Sequence, residues 1–296
     1  LAGARAMTST SSPGWSLMQE GMSHIAFADL PAVVLLVQRG GPGAGSIRHA
    51  QMDYLSVTRC GGHGGYKTVV LAPDSVQETH DFIQLAFHLA DQYRNPVVVL
   101  TDAVLGQMME LIDVKPLPFD PLPDKDWAIT GRGKHPDGVF QEVHCSQGII
   151  TPGIYLASVE EMHQKYQRIT DAEVRYEEYR ADDAELLLVA YGYVARVCRE
   201  AVDMARDAGH KVGLIRPITL WPFPYQAMRE KAAAGARFLV VEDSPGQMID
   251  DVRLGVEGRA QIDFLGMFAR HVGSDFGLIL PDRVLAEIEK ILEVRR

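Results

Sequence analysis

Short apolar runs set between turn residues constrain this chain more than any other feature. In the first third they fall at Ala4–Thr8, Ala32–Gln38, Thr68–Ala72 and Val97–Leu100. Such runs suit strands buried on both faces, the arrangement of a parallel sheet covered by helices. Between the last two, Ser75 and Glu78 form a capping-box pattern, and Phe82, Leu85, Ala86 and Leu89 follow at helical spacing. Asn95-Pro96 stops this helix, because proline cannot continue it. Leu1–Ala4 reads as the tail of a buried small-residue helix, so the opening looks like a cut edge.

From about Asp113 the texture changes. Prolines 116, 118, 121 and 123 form a stiff connector that cannot be helix. A second helix follows, with Ser158 and Glu161 as its cap and Met162, Tyr166, Ile169 and Tyr176 as its apolar stripe. Strand signals then recur at Leu186–Tyr191, Val212–Ile215, Phe238–Val241 and Ile262–Leu265. Helices near Val194–Ala208, ended by Gly209, and from Pro281 alternate with them. The reading is an α/β chain with mostly parallel sheets, divided into 1–112, a connector and bridging helix at 113–184, and a second unit at 185–296.

The formal net charge of −10 argues against a nucleic-acid partner, since phosphate contacts need clustered Lys and Arg. No apolar run approaches the ~20 residues that span a bilayer. Cys60, Cys145 and Cys198 lie far apart, so this chain alone builds no four-thiolate iron–sulfur or zinc site. Isolated thiols without a pairing pattern point to the cytoplasm.

Three segments are candidates for chemistry. Thr8-Ser9-Thr10-Ser11-Ser12-Pro13-Gly14 joins a buried strand to a helix. Its small hydroxyl residues would let a flat ring approach, though an ordinary N-cap cluster explains them better on local grounds. Gln38-Arg39-Gly40-Gly41-Pro42-Gly43-Ala44-Gly45 holds more glycine than a turn requires, and Arg39 offers a two-pronged clamp for a carboxylate. A flexible loop with a solvated arginine stands level with that reading. His63, among four glycines, reads as a loop residue. The adjacent Glu242 and Asp243 point to opposite faces of a strand and read as caps for the next helix, with an interface role left open. Gly106-Gln107-Met108-Met109 reads as a buried turn.

The runs TSTSSPGWSLMQEG, QRGGPGAG, GGHGGYKTVVLAPDSVQE, YRNPVVVL, GQMME, EVRYEEY, VAYG, RPITLWPFP and VEDSPGQMIDDVRL stand in this order along the chain. Together they resemble the α subunits of 2-oxoacid:ferredoxin oxidoreductases, most closely the branched-chain 2-oxoisovalerate group. The resemblance implies a thiamine pyrimidine-binding-type domain followed by a transketolase C-terminal-like domain. It implies oxidative decarboxylation of a 2-oxoacid to acyl-coenzyme A and carbon dioxide, with electrons passed to ferredoxin. Thiamine diphosphate performs the carbanion chemistry, and the protein positions it. Arg39 matches the family arginine that holds the substrate carboxylate. Thr10, Ser11, Ser12, Pro13 and Gly14 match the loop near the aminopyrimidine ring.

Two departures stand out. The glutamate that activates thiamine lies, in the family, upstream of the helix whose tail is Leu1–Ala4. It is absent here, Glu20 is no substitute, and no catalytic residue or metal ligand is assigned to this chain. Arg48 replaces a threonine of many relatives, which keeps 2-oxoglutarate open beside a branched-chain acid. The resemblance places the diphosphate, magnesium and iron–sulfur clusters with partners. These are a β subunit carrying the diphosphate-binding domain, a γ subunit, a ferredoxin-like iron–sulfur subunit, and ferredoxin itself. The competing readings are the β subunit of a thiamine-dependent 2-oxoacid dehydrogenase E1, and a non-catalytic assembly subunit.

Overall fold

The computed structural model describes residues 1–129, 153–269 and 277–293, and Cys145 lies outside them. The first sheet is built from β1 (Met7–Ser11), β2 (Ala32–Gln38), β3 (Val69–Leu71) and β4 (Pro96–Asp102), all parallel, in the spatial order β1-β2-β4-β3. Every residue of β4 is buried, as its unbroken Val/Leu run requires of a strand flanked on both sides. The connecting helices are α1 (Ser12–Phe27), α2 (Tyr54–Thr58), α3 (Val76–Tyr93), α4 (Ala103–Gln107) and α5 (Ile154–Ala172).

The expected cap of α3 is present. Ser75 accepts from the Glu78 amide at 3.1 Å, and the Glu78 carboxylate accepts from the Asp74 amide at 2.9 Å. The helix stops at Arg94 in the left-handed region (φ 47°), and β4 begins two residues later. Leu89, Ala86 and Ala90 pack under the sheet with Val33, Val97 and Val99. Burying a leucine of this kind is worth ~1.5–3 kcal/mol. The proline connector runs along α3, where Gln77 and Gln84 accept from the Asp113 and Leu117 amides at 2.7 and 3.0 Å.

The second sheet contains β5 (Tyr176–Tyr179), β6 (Leu186–Val189), β7 (Val212–Pro217), β9 (Arg237–Val241) and β10 (Ile262–Leu265), in the order β10-β9-β6-β7-β5. All are parallel except β5, which runs against β7. Helices α6 (Gly192–Asp207), α7 (Tyr225–Ala233), α8 (Met248–Val256) and α9 (Pro281–Glu293) cover it. Gly209 follows α6 at φ 86°, as a helix-ending glycine should. Two strands cross the partition drawn from sequence. β5, from the connector, edges the second sheet, and β8 (Thr219–Trp221), from the second unit, pairs antiparallel with β3 of the first.

Several expectations are corrected. Residues 1–6 are not helical, and Leu1 is exposed. Helix α5 starts at Ile154 behind the N-cap Gly153, which is in the left-handed region at φ 92°, so Ser158 lies inside the helix and not at its cap. Tyr166 and Ile169 are its buried stripe, but Tyr176 has left the helix and opens β5 as an exposed residue. Gly106–Met109 is no buried turn: Met109 is 96% exposed, because α4 ends at Gln107 and the chain turns out to solvent. Among the described residues no helix is long and apolar enough to cross a membrane.

Candidate active site

Parallel pairing brings the carboxyl ends of β1, β2 and β4 level, with Ser11 opposite Val37 and Gln38 opposite Asp102. Ligands of open α/β sheets collect at this edge. Both sequence candidates arrive there. Ser11 is the N-cap of α1, yet its side chain makes no capping hydrogen bond. Ser12 is buried, and Pro13 occupies the first turn. Gly14 is required by space, since a Cβ there would lie 2.0 Å from Thr10 Oγ1. The result is a turn of small side chains over the strand ends.

Arg39 leaves β2 directly into the glycine loop. Its backbone N–H donates to Ser12 Oγ at 3.0 Å, so the two candidate segments are physically joined. One guanidinium nitrogen donates to the Ala44 carbonyl at 3.2 Å, while Nε is buried without a hydrogen-bond partner among the described residues. The loop returns through a Gly40–Ser46 bridge and a Gly40 N–H to Arg48 carbonyl bond of 3.1 Å. Gly45 makes that return possible: it sits at φ 56°, and a Cβ would fall 1.8 Å from the Gly40 carbonyl oxygen.

Other residues at this edge carried no motif. Ser12 donates to the Asp53 carboxylate. Burial lifts the Asp53 pKa above the usual carboxylate range, against the pull of the Ser12 hydrogen bond and the Arg39 charge. The segment after the glycine loop is stitched to the second sheet. Gln51 N–H donates to the Asp243 carbonyl at 2.7 Å, and Asp243 N–H to Gln51 Oε1 at 2.9 Å. Asp243 also accepts from the Tyr193 hydroxyl at 2.7 Å and meets His49 Nδ1 at 2.8 Å. Glu242 behaves as the expected cap, accepting from the amides of Gln247, Met248 and Ile249 at 3.0–3.1 Å. Asp243 instead ties this strand end to the segment after the glycine loop. Glu20 and His63 are exposed.

Asp102, at the end of β4, caps α4 through the Val104 and Leu105 amides at 2.9 and 3.0 Å. Burial pushes its pKa up to about 6, despite those amides and with help from the Asp243 charge. The folded state therefore holds this proton more tightly than the unfolded chain. Its contribution to stability is fully present below about pH 4 and is lost as pH rises to about 6. An Asp102→Asn chain should lack that loss. Its stability relative to the parent should rise by about 2 kcal/mol between pH 4 and pH 6, read from urea unfolding at each pH. Parallel stability curves would contradict the assignment.

The described residues fit one part of a thiamine site. A small-residue turn at a helix start suits a flat ring, and an arginine with an unspent buried donor suits a carboxylate. They do not fit a metal centre: among them, no group of three or more His, Cys, Asp or Glu is placed to hold an ion.

The fold defines an open α/β protein with the candidate residues at its strand ends and a second α/β unit pressed against them. Residues 1–179 match the family model for the thiamine-diphosphate-binding domain of pyruvate flavodoxin/ferredoxin oxidoreductases, and residues 184–278 match the pyruvate:ferredoxin oxidoreductase core domain II. The chain belongs to the 2-oxoacid:ferredoxin oxidoreductase family. It is 49% identical over 254 residues to the ketoisovalerate oxidoreductase subunit VorB of Methanothermobacter thermautotrophicus, covering 86% of this chain and 70% of that one. It is 33% identical to the 2-oxoglutarate synthase subunit KorA of Methanothermobacter marburgensis, covering 97% of this chain and 80% of that one. Among solved structures, the 2-oxoglutarate:ferredoxin oxidoreductase of Magnetococcus marinus shares the fold at TM-score 0.77 and 21% identity, over 98% of this chain and 53% of that one. The dehydrogenase E1 reading gains no support from these matches.

Proposed function

We propose that this chain is the substrate-carboxylate-binding subunit of an enzyme that oxidatively decarboxylates a 2-oxoacid. The acid and coenzyme A would become acyl-coenzyme A and carbon dioxide, with two electrons passed singly to ferredoxin. The observation that carries the reading is Arg39, held at the carboxyl edge of the sheet against Ser12 with a buried donor unspent. Thiamine diphosphate, when bound, supplies the carbanion that the 2-oxo carbon requires. Toward it this chain offers Thr10, Ser11, Ser12, Pro13 and Gly14 as a close surface for the pyrimidine ring, and Arg39 fixes the acid beside it.

The diphosphate, magnesium and iron–sulfur clusters belong, in this reading, to a β subunit, a γ subunit and a ferredoxin-like subunit, in the cytoplasm. The divisions at 112 and 184 stand as proposed domain limits, with β5 and β8 exchanged across them. A branched-chain acid is favoured by the higher identity to the ketoisovalerate subunit. The second reading, 2-oxoglutarate, draws on Arg48, whose backbone is paired with Gly40 beside Arg39.

The test uses the complete complex with coenzyme A and a viologen acceptor. Expected is a kcat/KM for 3-methyl-2-oxobutanoate at least ten times that for 2-oxoglutarate. The reverse order would assign the second carboxylate to Arg48. Turnover of neither acid would refute the proposed function.

A further inference from the structure

We infer that Asp53 is a positioning residue that sets Arg39 for the substrate carboxylate, working through Ser12. This rests on reading Arg39 as the carboxylate-binding group. A hydroxyl has one proton to give. Ser12 Oγ accepts from the Arg39 amide at 3.0 Å, and its proton goes to the Asp53 carboxylate. With its one proton committed to Asp53, the hydroxyl rotor is fixed, and the line Asp53–Ser12–Arg39 ties the start of α1 to the end of β2.

Besides Ser12, the Asp53 carboxylate meets the Arg39 backbone N–H directly. Asp53 immediately precedes α2, but its side chain makes no capping bond to that helix. Its neighbours are anchored from the opposite direction. Gln51 is bonded both ways to the Asp243 backbone, the Tyr54 hydroxyl donates to Asp251 at 2.6 Å, and the Leu55 amide donates to Gln247 Oε1 at 2.9 Å. The second sheet thus fixes both sides of Asp53 and presents its carboxylate to the strand edge of the first. The negative charge also faces the Arg39 guanidinium, which favours that side chain over the loop and not in solvent. The second α/β unit would in this way shape substrate binding without contributing a residue that touches the acid.

The experiment compares Asp53→Ala, Asp53→Asn and Ser12→Ala in the complete complex at saturating thiamine diphosphate, each alone and with Arg39→Lys. Binding of the 2-oxoacid is measured by calorimetry without coenzyme A, and KM and kcat are measured separately. Asp53→Ala should raise Kd and KM at least tenfold while kcat changes less than threefold. Asp53→Asn keeps an oxygen for Ser12 but removes the charge that faces Arg39, so its defect should fall between the parent and Asp53→Ala. Ser12→Ala breaks the same link from its other end and should raise Kd for the 2-oxoacid at least tenfold as well, which keeps the test open where Asp53→Ala fails to assemble. Neither alanine should add to the defect of Arg39→Lys. Normal binding by the alanine variants, or defects that add fully to Arg39→Lys, would overturn the positioning role alone. Unchanged binding by Arg39→Lys itself would instead overturn the carboxylate reading, and the inference with it.

Discussion

Exchanging Arg39 for lysine in the complete complex should cut kcat/KM for the 2-oxoacid by roughly 30-fold or more. The guanidinium can form two parallel charged hydrogen bonds to a carboxylate, a geometry that a lysine ammonium cannot reproduce. Losing one partner of a desolvated charged contact costs about 2–5 kcal/mol, and each ~1.4 kcal/mol is a factor of ten. Arg39 is prepared for this task. Its backbone is pinned to Ser12, one nitrogen is braced on the Ala44 carbonyl, and a buried Nε still lacks a partner among the described residues. Affinity for thiamine diphosphate should change little, since Arg39 is proposed to meet the substrate and not the cofactor. Measuring both quantities on one variant separates the cases. Unchanged kcat/KM removes Arg39 from the site, and a parallel loss of cofactor binding means that its role was assigned to the wrong ligand.

The largest expected effect on stability lies at Arg216, on β7. Its side chain is 3% exposed and meets Asp74 at 3.1 Å, Glu177 at 3.4 Å, and Glu78. Asp74 and Glu78 belong to the start of α3, on the first sheet, and Glu177 to β5, on the second, so one guanidinium ties the two units. Arg216→Met would leave these carboxylates facing one another. Removing one member of a buried ion pair costs about 3–5 kcal/mol. Glu78 and Glu177 are partly exposed, and Arg199 stays bonded to Glu177 at 2.9 Å through both nitrogens, which argues for the low end, about 3 kcal/mol. The urea midpoint of the chain should fall accordingly. A loss below about 1 kcal/mol would show that Arg199 and solvent replace Arg216.

Much of the fold was legible because local pattern and burial agree. Ala32–Gln38 and Ile262–Leu265 are strands with the bounds read from their apolar runs, and the Ser75–Glu78 box caps α3 as its residue types require. The errors arose where distant chain decides. Thr219–Trp221 is a three-residue strand whose partner, β3, lies far earlier in sequence, and no local periodicity reports that pairing. Ser158 and Glu161 have the residue types of a cap, but α5 had already begun at Ile154.

For the site, the glycine-rich loop drew notice because it holds more glycine than a turn requires, while the small-hydroxyl turn read locally as an N-cap cluster; both gained their site roles through the resemblance. Asp53 and Gln51 could not. Each is an ordinary polar residue in a loop, and each acquires its meaning from Ser12 or Asp243, which the fold alone brings near. Glu242 and Asp243 were half readable: both read as caps for the next helix, and Glu242 is one, but the partners of Asp243 come from distant chain.

The central claim is that this chain supplies one part of a shared 2-oxoacid site. It is tested most directly by 2-oxoacid-dependent viologen reduction with thiamine diphosphate, magnesium and coenzyme A, using this chain alone, its partner subunits alone, and the two recombined. The account predicts turnover by the recombined complex only, because it gives this chain Arg39 and the Thr10–Gly14 turn and gives its partners the diphosphate, magnesium and iron–sulfur sites. Full turnover by either half alone would contradict it.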